Sequence, residues 1–318
     1  MWADAVFEGG GIKGIGLVGA LSVAERKGFR WKKVAGSSAG SIIATLLAAG
    51  FTAEEMAELM FEKDFKDFLT PKWPEYLPYI GPAIRLWFKK GLYSGNDLEK
   101  WIAQILESKG IRTFKDLKGD TELHIIASDI TRGQILVLPR DLEDYGYKLE
   151  DFPVAKVVRM SCSIPFFFDP VKLACQKTGE ICYIVDGGVL SNFPVWLFDK
   201  EKPRWPTFGF RLYSPDEKQF HEISGPFSML LSIFFTMLEA HDNRYIEDLD
   251  QVRSIQVPSL DVKLTDFSIS EEKKKQLFQS GVQAAETFFN QWTFEDYLKA
   301  RAKQKSIHSR LRKNSPGS

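Results

Sequence analysis

The chain has 318 residues, with 42 basic and 42 acidic side chains and a formal net charge of zero, and 44% of its residues are hydrophobic. This length suits one large domain or two modest ones, and the apolar fraction suffices for a globular core. The balanced charge gives no reason to expect a nucleic-acid-binding protein.

Taken in chain order, the predicted elements alternate strands with helices. Strands are predicted at 4–8, 31–35, 123–127, 134–138, 171–174, 181–185, 207–212 and 255–257. Helices are predicted at 13–27, 39–49, 97–109, 154–160, 226–249 and 271–290, and a capping box at 52–55 opens another. The alternation predicts an α/β domain with a largely parallel sheet covered on both faces.

The composition of the two termini and of the most apolar segment indicates where in the cell the protein is expected. The first residues show no basic stretch followed by an apolar one, so no secretory signal is expected. The most apolar segment, 226–238, has 13 residues, whereas a membrane span needs about 20. Residues 297–318 carry seven Lys or Arg and no acidic residue. We therefore expect a soluble cytoplasmic protein, peripheral to membranes at most, with a main domain at 1–296 and a basic tail at 297–318, either solvated or in contact with anionic surfaces.

The three cysteines, Cys162, Cys175 and Cys182, form neither a disulfide framework nor a metal-ligand set. We expect free thiols, no metal and no other cofactor.

The first motif is a glycine cluster, FEGGGIKGIG at residues 7–16, between a predicted strand and a predicted helix. Gly9, Gly11 and Gly14 satisfy the G-x-G-x-x-G pattern of dinucleotide sites, but the second strand lacks the acidic residue that such a site requires. The cluster also differs from the phosphate-binding G-x-x-x-x-G-K-[ST] pattern. Two interpretations remain: an anion-binding nest of backbone amides and a tight turn that requires positive φ.

The second motif is Gly36-Ser37-Ser38-Ala39-Gly40, which fits the nucleophile elbow G-x-S-x-G with Ser38 at its centre. A serine at a sharp strand-to-helix turn projects its hydroxyl into open space, and small neighbours let the turn close. The alternative is that Ser38 is an ordinary helix N-cap.

The third motif is Asp186-Gly187-Gly188, which follows an apolar strand. We expect Asp186 at the carboxyl ends of parallel strands, facing a cleft, although Asp-Gly-Gly is also a plain turn. The histidines offer no better partner for Ser38. His124 lies inside a strand, and the others lie in the basic tail or in and beside the long helix: His221, His241 and His308.

Together and in this order, the three motifs resemble those of the patatin-like phospholipase family, in which a glycine-rich oxyanion loop precedes G-x-S-x-G and D-G-[GA]. Segments 125–134 and 158–171 are also similar to that family, and the resemblance extends over roughly residues 3–290. It implies a three-layer α/β/α sandwich with a largely parallel sheet, a patatin-like variant of the α/β-hydrolase architecture. It also implies a Ser–Asp dyad.

The resemblance assigns Ser38 as the nucleophile and Asp186 as the general base. It places the backbone amides of Gly10 and Gly11 in the oxyanion hole, with Gly9 fixing the turn and Ala39 N–H contributing. Lys13 either neutralises a lipid phosphate or stabilises the loop. The remaining motif positions support the turns: Gly14, Gly36, Gly40, Gly187 and Gly188.

The implied activity is calcium-independent hydrolysis of phospholipid or other acyl-lipid esters, of phospholipase A or lipase type. Transient contact with a membrane surface and no nucleic-acid partner are expected. Two alternatives stay open: an esterase or thioesterase acting on small soluble acyl substrates, and a non-catalytic lipid-binding module.

Two apolar segments could either contact a lipid substrate or pack in the core. Residues 65–93 hold eight aromatics, which suit an apolar rim beside the site and core packing equally well. For 226–238, core packing is favoured, because Phe and Leu at helical spacing usually pack inside. The aromatics are Phe65, Phe68, Trp73, Tyr76, Tyr79, Trp87, Phe88 and Tyr93.

Overall fold

The computed structural model describes residues 1–69, 86, 88–200, 202–213, 223–244, 252–264 and 266–303, apart from the side chains of residues 227 and 239–244. The strands are β1 (Trp2–Phe7), β2 (Arg30–Ser37), β3 (Gly91–Tyr93), β4 (Glu122–Asp129), β5 (Gln134–Leu138), β6 (Phe166–Phe168), β7 (Val171–Ala174), β8 (Ile181–Asp186), β9 (Thr207–Tyr213) and β10 (Ser254–Pro258). The α-helices are α1 (Gly14–Arg26), α2 (Ala39–Ala48), α3 (Ala53–Glu62), α4 (Asn96–Glu107), α5 (Val154–Ser161), α6 (Pro226–Arg244), α7 (Glu271–Gln291) and α8 (294–303).

The central sheet has the strand order β10-β9-β1-β2-β4-β8-β7, and β5 pairs with β4. The five strands from β10 to β4 run parallel, whereas β5, β7 and β8 introduce antiparallel pairs. Strands β3 and β6 form a separate parallel pair. A mixed α/β fold with a mostly parallel central sheet is therefore confirmed.

The two faces of the sheet bury different partners. Ala3, Ala5 and Phe7 join the larger hydrophobic cluster, together with apolar residues of α1, α2, α3 and α7. Val6, which points the other way, packs in a small cluster with Ala35 and the single turn at 195–198. Within the described residues, most of the helical core thus lies on one face of the sheet.

The pairing of β4 explains how distant residues reach the end of β2. Strand β5 occupies one edge of β4 along residues 125–129. On the opposite edge, β2 pairs with residues 122–126 and ends at Ser37, and β8 takes over from Ala127. Because Ala127 pairs with Asp186, the last residue of β8 lies directly beyond the end of β2.

The sequence-based reason for placing Asp186 there, the end of a parallel strand, was wrong. Strand β8 runs antiparallel to β4, so Asp186 does not end one of the parallel strands. Since a neighbouring strand can pair in either direction, the register of β8 against β4 decides where its last residue lies.

The predicted long helix at 226–249 corresponds to α6 over Pro226–Arg244, and the last predicted residues, 245–249, lie outside those described. The expected core packing holds for one face only. Phe234, Phe235 and Leu238 are buried, whereas Met229 and Ile233 are exposed. None of the helices in the described ranges is long and apolar enough to cross a membrane.

The aromatic segment at 65–93 is partly described. Phe68 is buried, Phe65 and Tyr93 pack against the core, and Phe88 is 70% exposed. The four others, Trp73, Tyr76, Tyr79 and Trp87, lie outside the described residues.

Helix α8 crosses the domain boundary that the sequence predicts after residue 296. Tyr297 is buried, and its hydroxyl accepts a hydrogen bond from Thr207 N–H at 3.3 Å. Arg301 Nη1 donates to Asp199 Oδ1 at 2.7 Å. Contacts of the main domain therefore continue to at least residue 301, and the basic residues after 303 lie outside the described part of the chain.

Candidate active site

Ser38 occupies the sharp turn between β2 and α2, with φ 50° and ψ −126°. Positive φ is uncommon for a residue with a side chain and is typical of strained functional turns. The flanking glycines are required by close approach of the backbone: a Cβ on Gly36 would overlap the carbonyl of Gly40, and a Cβ on Gly40 would overlap the carbonyl of Phe7. The G-x-S-x-G spacing thus follows from packing around the elbow.

Ser38 and Asp186 are joined directly. Ser38 Oγ donates a hydrogen bond to Asp186 Oδ2 at 2.6 Å. The other carboxylate oxygen, Oδ1, accepts the N–H of Gly188 at 2.8 Å, which orients the carboxylate. Gly187 has no room for a Cβ, which would overlap Ile126 O and the hydroxyl of Ser37. Asp186 is therefore held in one orientation, with one oxygen on the serine.

The burial of Asp186 changes its acidity. The residue is 1% exposed, and burial raises its pKa to about 7, against the opposing effect of the hydrogen bonds from Ser38 and Gly188. An ordinary Asp, with a pKa near 3.9, would accept a proton from a serine only poorly. A carboxylate whose pKa lies near neutral pH is a better match for general-base work.

With Asp186 as the general base that the resemblance implies, we expect the kcat/KM for a soluble ester to fall as pH drops through about 7, because a protonated carboxyl cannot accept the serine proton. The raised pKa puts the ionised, active form above about pH 7, so the profile should rise with a slope of one and then level off. Initial-rate measurements between pH 4.5 and pH 9 give this pH profile of kcat/KM. Activity that persists unchanged to pH 5 would show that the base ionises in the ordinary range of Asp.

The carboxyl end of α5 and the residues just after it hold both members of the pair. Ser161 Oγ accepts the N–H of Ser38 at 2.9 Å and donates to Ile126 O at 2.6 Å. Ser163 O accepts the N–H of Asp186 at 2.9 Å. Local sequence does not reveal this role: segment 158–171 resembles the family, but nothing in it indicates that Ser161 reaches a residue 123 positions away.

Ser161→Ala should lower kcat while leaving KM nearly unchanged. The variant removes the hydrogen bond that holds the strained backbone of Ser38, whereas Ser161 itself does not line the cavity. Leaving a buried N–H unpaired should also cost about 1–3 kcal/mol of unfolding free energy. Ser280→Ala is the matched control, because the hydroxyl of Ser280 on α7 lies within hydrogen-bonding distance of Leu277 O and of Pro258 O on β10. If both variants lose stability equally and neither loses kcat, Ser161 has no positioning role.

The glycine loop lies against the elbow. Gly9 N–H donates to Asn192 O at 3.2 Å, and Asn192 Nδ2 donates back to Gly9 O at 3.3 Å, so Gly9 anchors the loop and its amide is already engaged. The N–H groups of Gly10, Gly11 and Ala39 donate no hydrogen bond within the part of the chain that the structure describes.

The backbone of Gly11 and the burial of Lys13 bear on the interpretation of the loop. Gly11 has φ 54°, which supports the positive-φ interpretation of this glycine. Lys13 is 5% exposed, and its burial favours stabilisation of the loop over contact with a phosphate in solvent.

An apolar cavity of about 620 Å³, its open mouth included, adjoins Ser38. Its walls come from the starts of α1 and α2, from α3 and α4, and from the segment after α5. Three rings form one wall, with Phe68 and Trp101 centroids 5.5 Å apart and Phe65 packed edge-on against both. The other apolar lining residues include Ile12, Ile42, Met60, Leu98, Ile164 and Phe168.

Comparison with known proteins gives the family. The model of the patatin-like phospholipase family matches residues 5–199. The chain belongs to the patatin-like phospholipase family. This patatin-like region contains the glycine loop, the Ser38 elbow and Asp186.

Relatives extend the similarity beyond the matched region. The uncharacterized protein YqhO of Bacillus subtilis is 46% identical over 296 residues, which are 92% of this chain and all of that protein. The probable lipid hydrolase 463L of Invertebrate iridescent virus 6 is 27% identical over 68% of this chain and 72% of its own. Among solved structures, VipD of Legionella pneumophila has a TM-score of 0.53 at 15% identity, over 91% of this chain and 66% of its own, which shows a similar fold.

Two other reactive side chains among the described residues either lie apart from the pair or are inert. His124 pairs in register with Ala35 on β2 and packs against Phe198. Cys162 lines the cavity, but burial raises the pKa of its thiol to about 12, so it stays protonated. His221 and His308 lie outside the described residues, as does the side chain of His241. Among the described residues, no group of three or more His, Cys, Asp or Glu could hold a metal ion.

Proposed function

We propose that this protein is a lipid acyl hydrolase of phospholipase A or lipase type, which cleaves carboxylic esters through a Ser38–Asp186 dyad. The observation that carries the proposal is the 2.6 Å hydrogen bond between the Ser38 hydroxyl and a buried carboxylate, beside an apolar cavity. Membership of the patatin-like phospholipase family supports a lipid ester as substrate.

Acylation begins when Asp186 Oδ2 accepts the proton of Ser38 Oγ, which attacks the carbonyl carbon of the ester. The carbonyl oxygen becomes an oxyanion, which the N–H groups of Gly10, Gly11 and Ala39 stabilise together with the amino-terminal end of α2. The intermediate then collapses, and Asp186 returns the proton to the departing alkoxide. The product of this half is acyl-Ser38.

Deacylation repeats these steps with water. Asp186 accepts a proton from a water molecule, whose oxygen attacks the acyl carbonyl, and the same amides stabilise the second oxyanion. Collapse breaks the bond between Ser38 Oγ and the acyl carbon, Asp186 gives its proton to Ser38 Oγ, and the carboxylic acid is released. Because backbone amides stabilise the oxyanion, we propose that turnover does not require calcium, and we expect a chelator to leave it unchanged.

The cavity favours a long acyl chain over the small soluble substrates of an esterase or thioesterase. Its lining beyond Ser38 is made of aliphatic and aromatic side chains, glycines and a protonated thiol. Each methylene group moved from water into such a cavity contributes about 0.8 kcal/mol. Lipids with long acyl chains reside in bilayers, so we also propose transient contact with a membrane surface.

Mass spectrometry of the products from a mixed phospholipid and neutral-lipid panel tests the proposal. We expect free fatty acids and the matching lysolipids or partial glycerides, at a rate that a chelator does not change. The Ser38→Ala variant is the control for contaminating lipases. Hydrolysis of short soluble esters or thioesters alone would favour the esterase alternative, and no turnover with any ester would favour the non-catalytic module.

Ile42→Trp should reduce kcat/KM for long-chain esters about tenfold or more and leave short-chain esters nearly unaffected. Ile42 lines the cavity four residues after Ser38, and an indole there would displace several methylene groups of a bound chain. The ratio of kcat/KM for C16 and C4 esters measures the effect, and Ile42→Val is the conservative control. Equal losses for both esters would place the acyl chain elsewhere.

A further inference from the structure

Helix α6 exposes an apolar face. Met229, Ile233 and Met237 are 51%, 48% and 40% exposed. Their spacing of four residues places them on one side of the helix, which we call the apolar face. The opposite side, with Phe234, Phe235 and Leu238, is buried in the domain. The helix is therefore apolar on both sides over its first three turns.

The polar groups of these turns need no water. No charged residue occurs between Pro226 and Leu238. The hydroxyls of Ser228, Ser232 and Thr236 donate to the carbonyls of Gly225, Ser228 and Ser232, each at 2.8 Å. Such bonds to preceding carbonyls satisfy hydroxyls inside a helix where water is absent. The apolar face can therefore enter a hydrocarbon phase without leaving an unpaired hydroxyl.

Helix α6 lies close to the dyad through its buried side. Leu238 of α6 packs over Gly188, where a Cβ would overlap it, and Gly188 N–H binds the carboxylate of Asp186. Helix α6 also contacts β6, whose Phe168 lines the cavity beside Ser38. The helix that carries the apolar face thus packs directly against the active-site region.

We propose that the apolar face is the surface with which the protein docks on the hydrocarbon boundary of a lipid bilayer, next to its active site. This inference rests on the proposed function, which supplies the lipid substrate. The absence of Lys and Arg from these turns indicates that docking depends on apolar burial and not on anionic headgroups. A second copy of the chain fits less well, because a standard interface needs about 800 Å² from each partner and three half-exposed side chains supply far less.

The test compares the full-length variant M229Q/I233Q/M237Q with the wild type in binding to phosphatidylcholine vesicles. Gln favours helices, and the three positions are exposed, so the fold should be kept. W2Q/L298Q is the matched control, because Trp2 and Leu298 are 40% and 39% exposed. Both lie near the amino ends of the parallel strands, away from Ser38. The hydrolysis rate of a soluble short-chain ester is measured alongside.

We expect the partition coefficient of the triple variant to fall about 100-fold, equally at low and high salt. Its short-chain hydrolysis and the vesicle binding of the control should equal those of the wild type. Wild-type binding by the triple variant would overturn the proposal, as would binding that high salt abolishes. If the apolar face instead joins two copies of the chain, the wild type should be a dimer and the triple variant a monomer. Vesicle binding would then be the same for both, which would overturn the proposal. Failure of the wild type to hydrolyse any ester would refute the proposed function separately, because vesicle binding needs no turnover.

A direct measurement locates the contact. The dye-labelled variants Ile233→Cys and Leu298→Cys can be compared on the vesicles, since the natural cysteines are buried. We expect a blue shift for the dye at residue 233 and none at residue 298. The opposite pattern would place the docking surface at the far end of the domain.

Discussion

Replacing Ser38 with alanine is expected to abolish covalent labelling by a fluorophosphonate probe and to reduce ester turnover at least about 10⁴-fold. The hydroxyl is the only group of the protein that forms a bond to the acyl carbon in the proposed mechanism. Its elbow conformation, with φ 50°, and its hydrogen bond to Asp186 present it to the cavity. Labelling followed by peptide mass spectrometry checks the site, and the turnover assay checks the loss.

The neighbouring serine provides the control. Ser37 is fully buried, and its hydroxyl lies against the position where Gly187 has no room for a side chain. Ser37→Ala should therefore keep both labelling and turnover. A label on Ser37, or a labelled Ser38→Ala protein, would show that the nucleophile had been misassigned.

Asp186→Asn is expected to reduce kcat about 10²–10⁴-fold, because the amide fills the same space but cannot accept the serine proton. The variant should nevertheless be more stable than the wild type at pH 8. Since burial raises the pKa of Asp186 from its ordinary value of 3.8 to about 7, the folded state holds a proton that the unfolded state releases between these values. The free energy of unfolding therefore falls as pH rises from about 4 to about 7, and the amide removes this loss.

Turnover and thermal melting at pH 5 and pH 8 measure both effects. The gain in Tm should be larger at pH 8, where the wild-type carboxylate is ionised in the interior. Asp129→Asn is the matched control, because Asp129 is also buried and accepts a hydrogen bond from Tyr145 instead of from Ser38. It should keep most of the activity.

The histidines decide between a dyad and a triad. We expect His124→Ala, His221→Ala and His241→Ala each to cause only a modest loss of turnover. A loss with His221→Ala or His241→Ala as large as that with Asp186→Asn would make that histidine the base and overturn the dyad.

The sequence by itself determined the features that depend on contiguous residues. The alternation of apolar runs with helical segments is sufficient to predict the α/β class, which is confirmed. The elbow at Ser38 is local in its motif, and Gly36 is required by contact with Gly40 inside the turn, whereas Gly40 is required by contact with Phe7 of β1. The order of the three motifs indicated the patatin-like family, and the match over residues 5–199 confirms it.

The tertiary structure alone decided the features that join distant residues. Asp186 lies 148 positions from Ser38 and reaches it because β8 pairs antiparallel with the edge of β4 that β2 has left. Ser161, which holds the elbow, and the burial that raises the pKa of Asp186 depend on the same long-range packing. The apolar pattern of α6 is alike on both sides, so only its docking on the domain shows that Leu238 is buried and Ile233 is exposed. Local sequence cannot specify these features, because register, burial and exposure arise from segments that meet only in the folded chain.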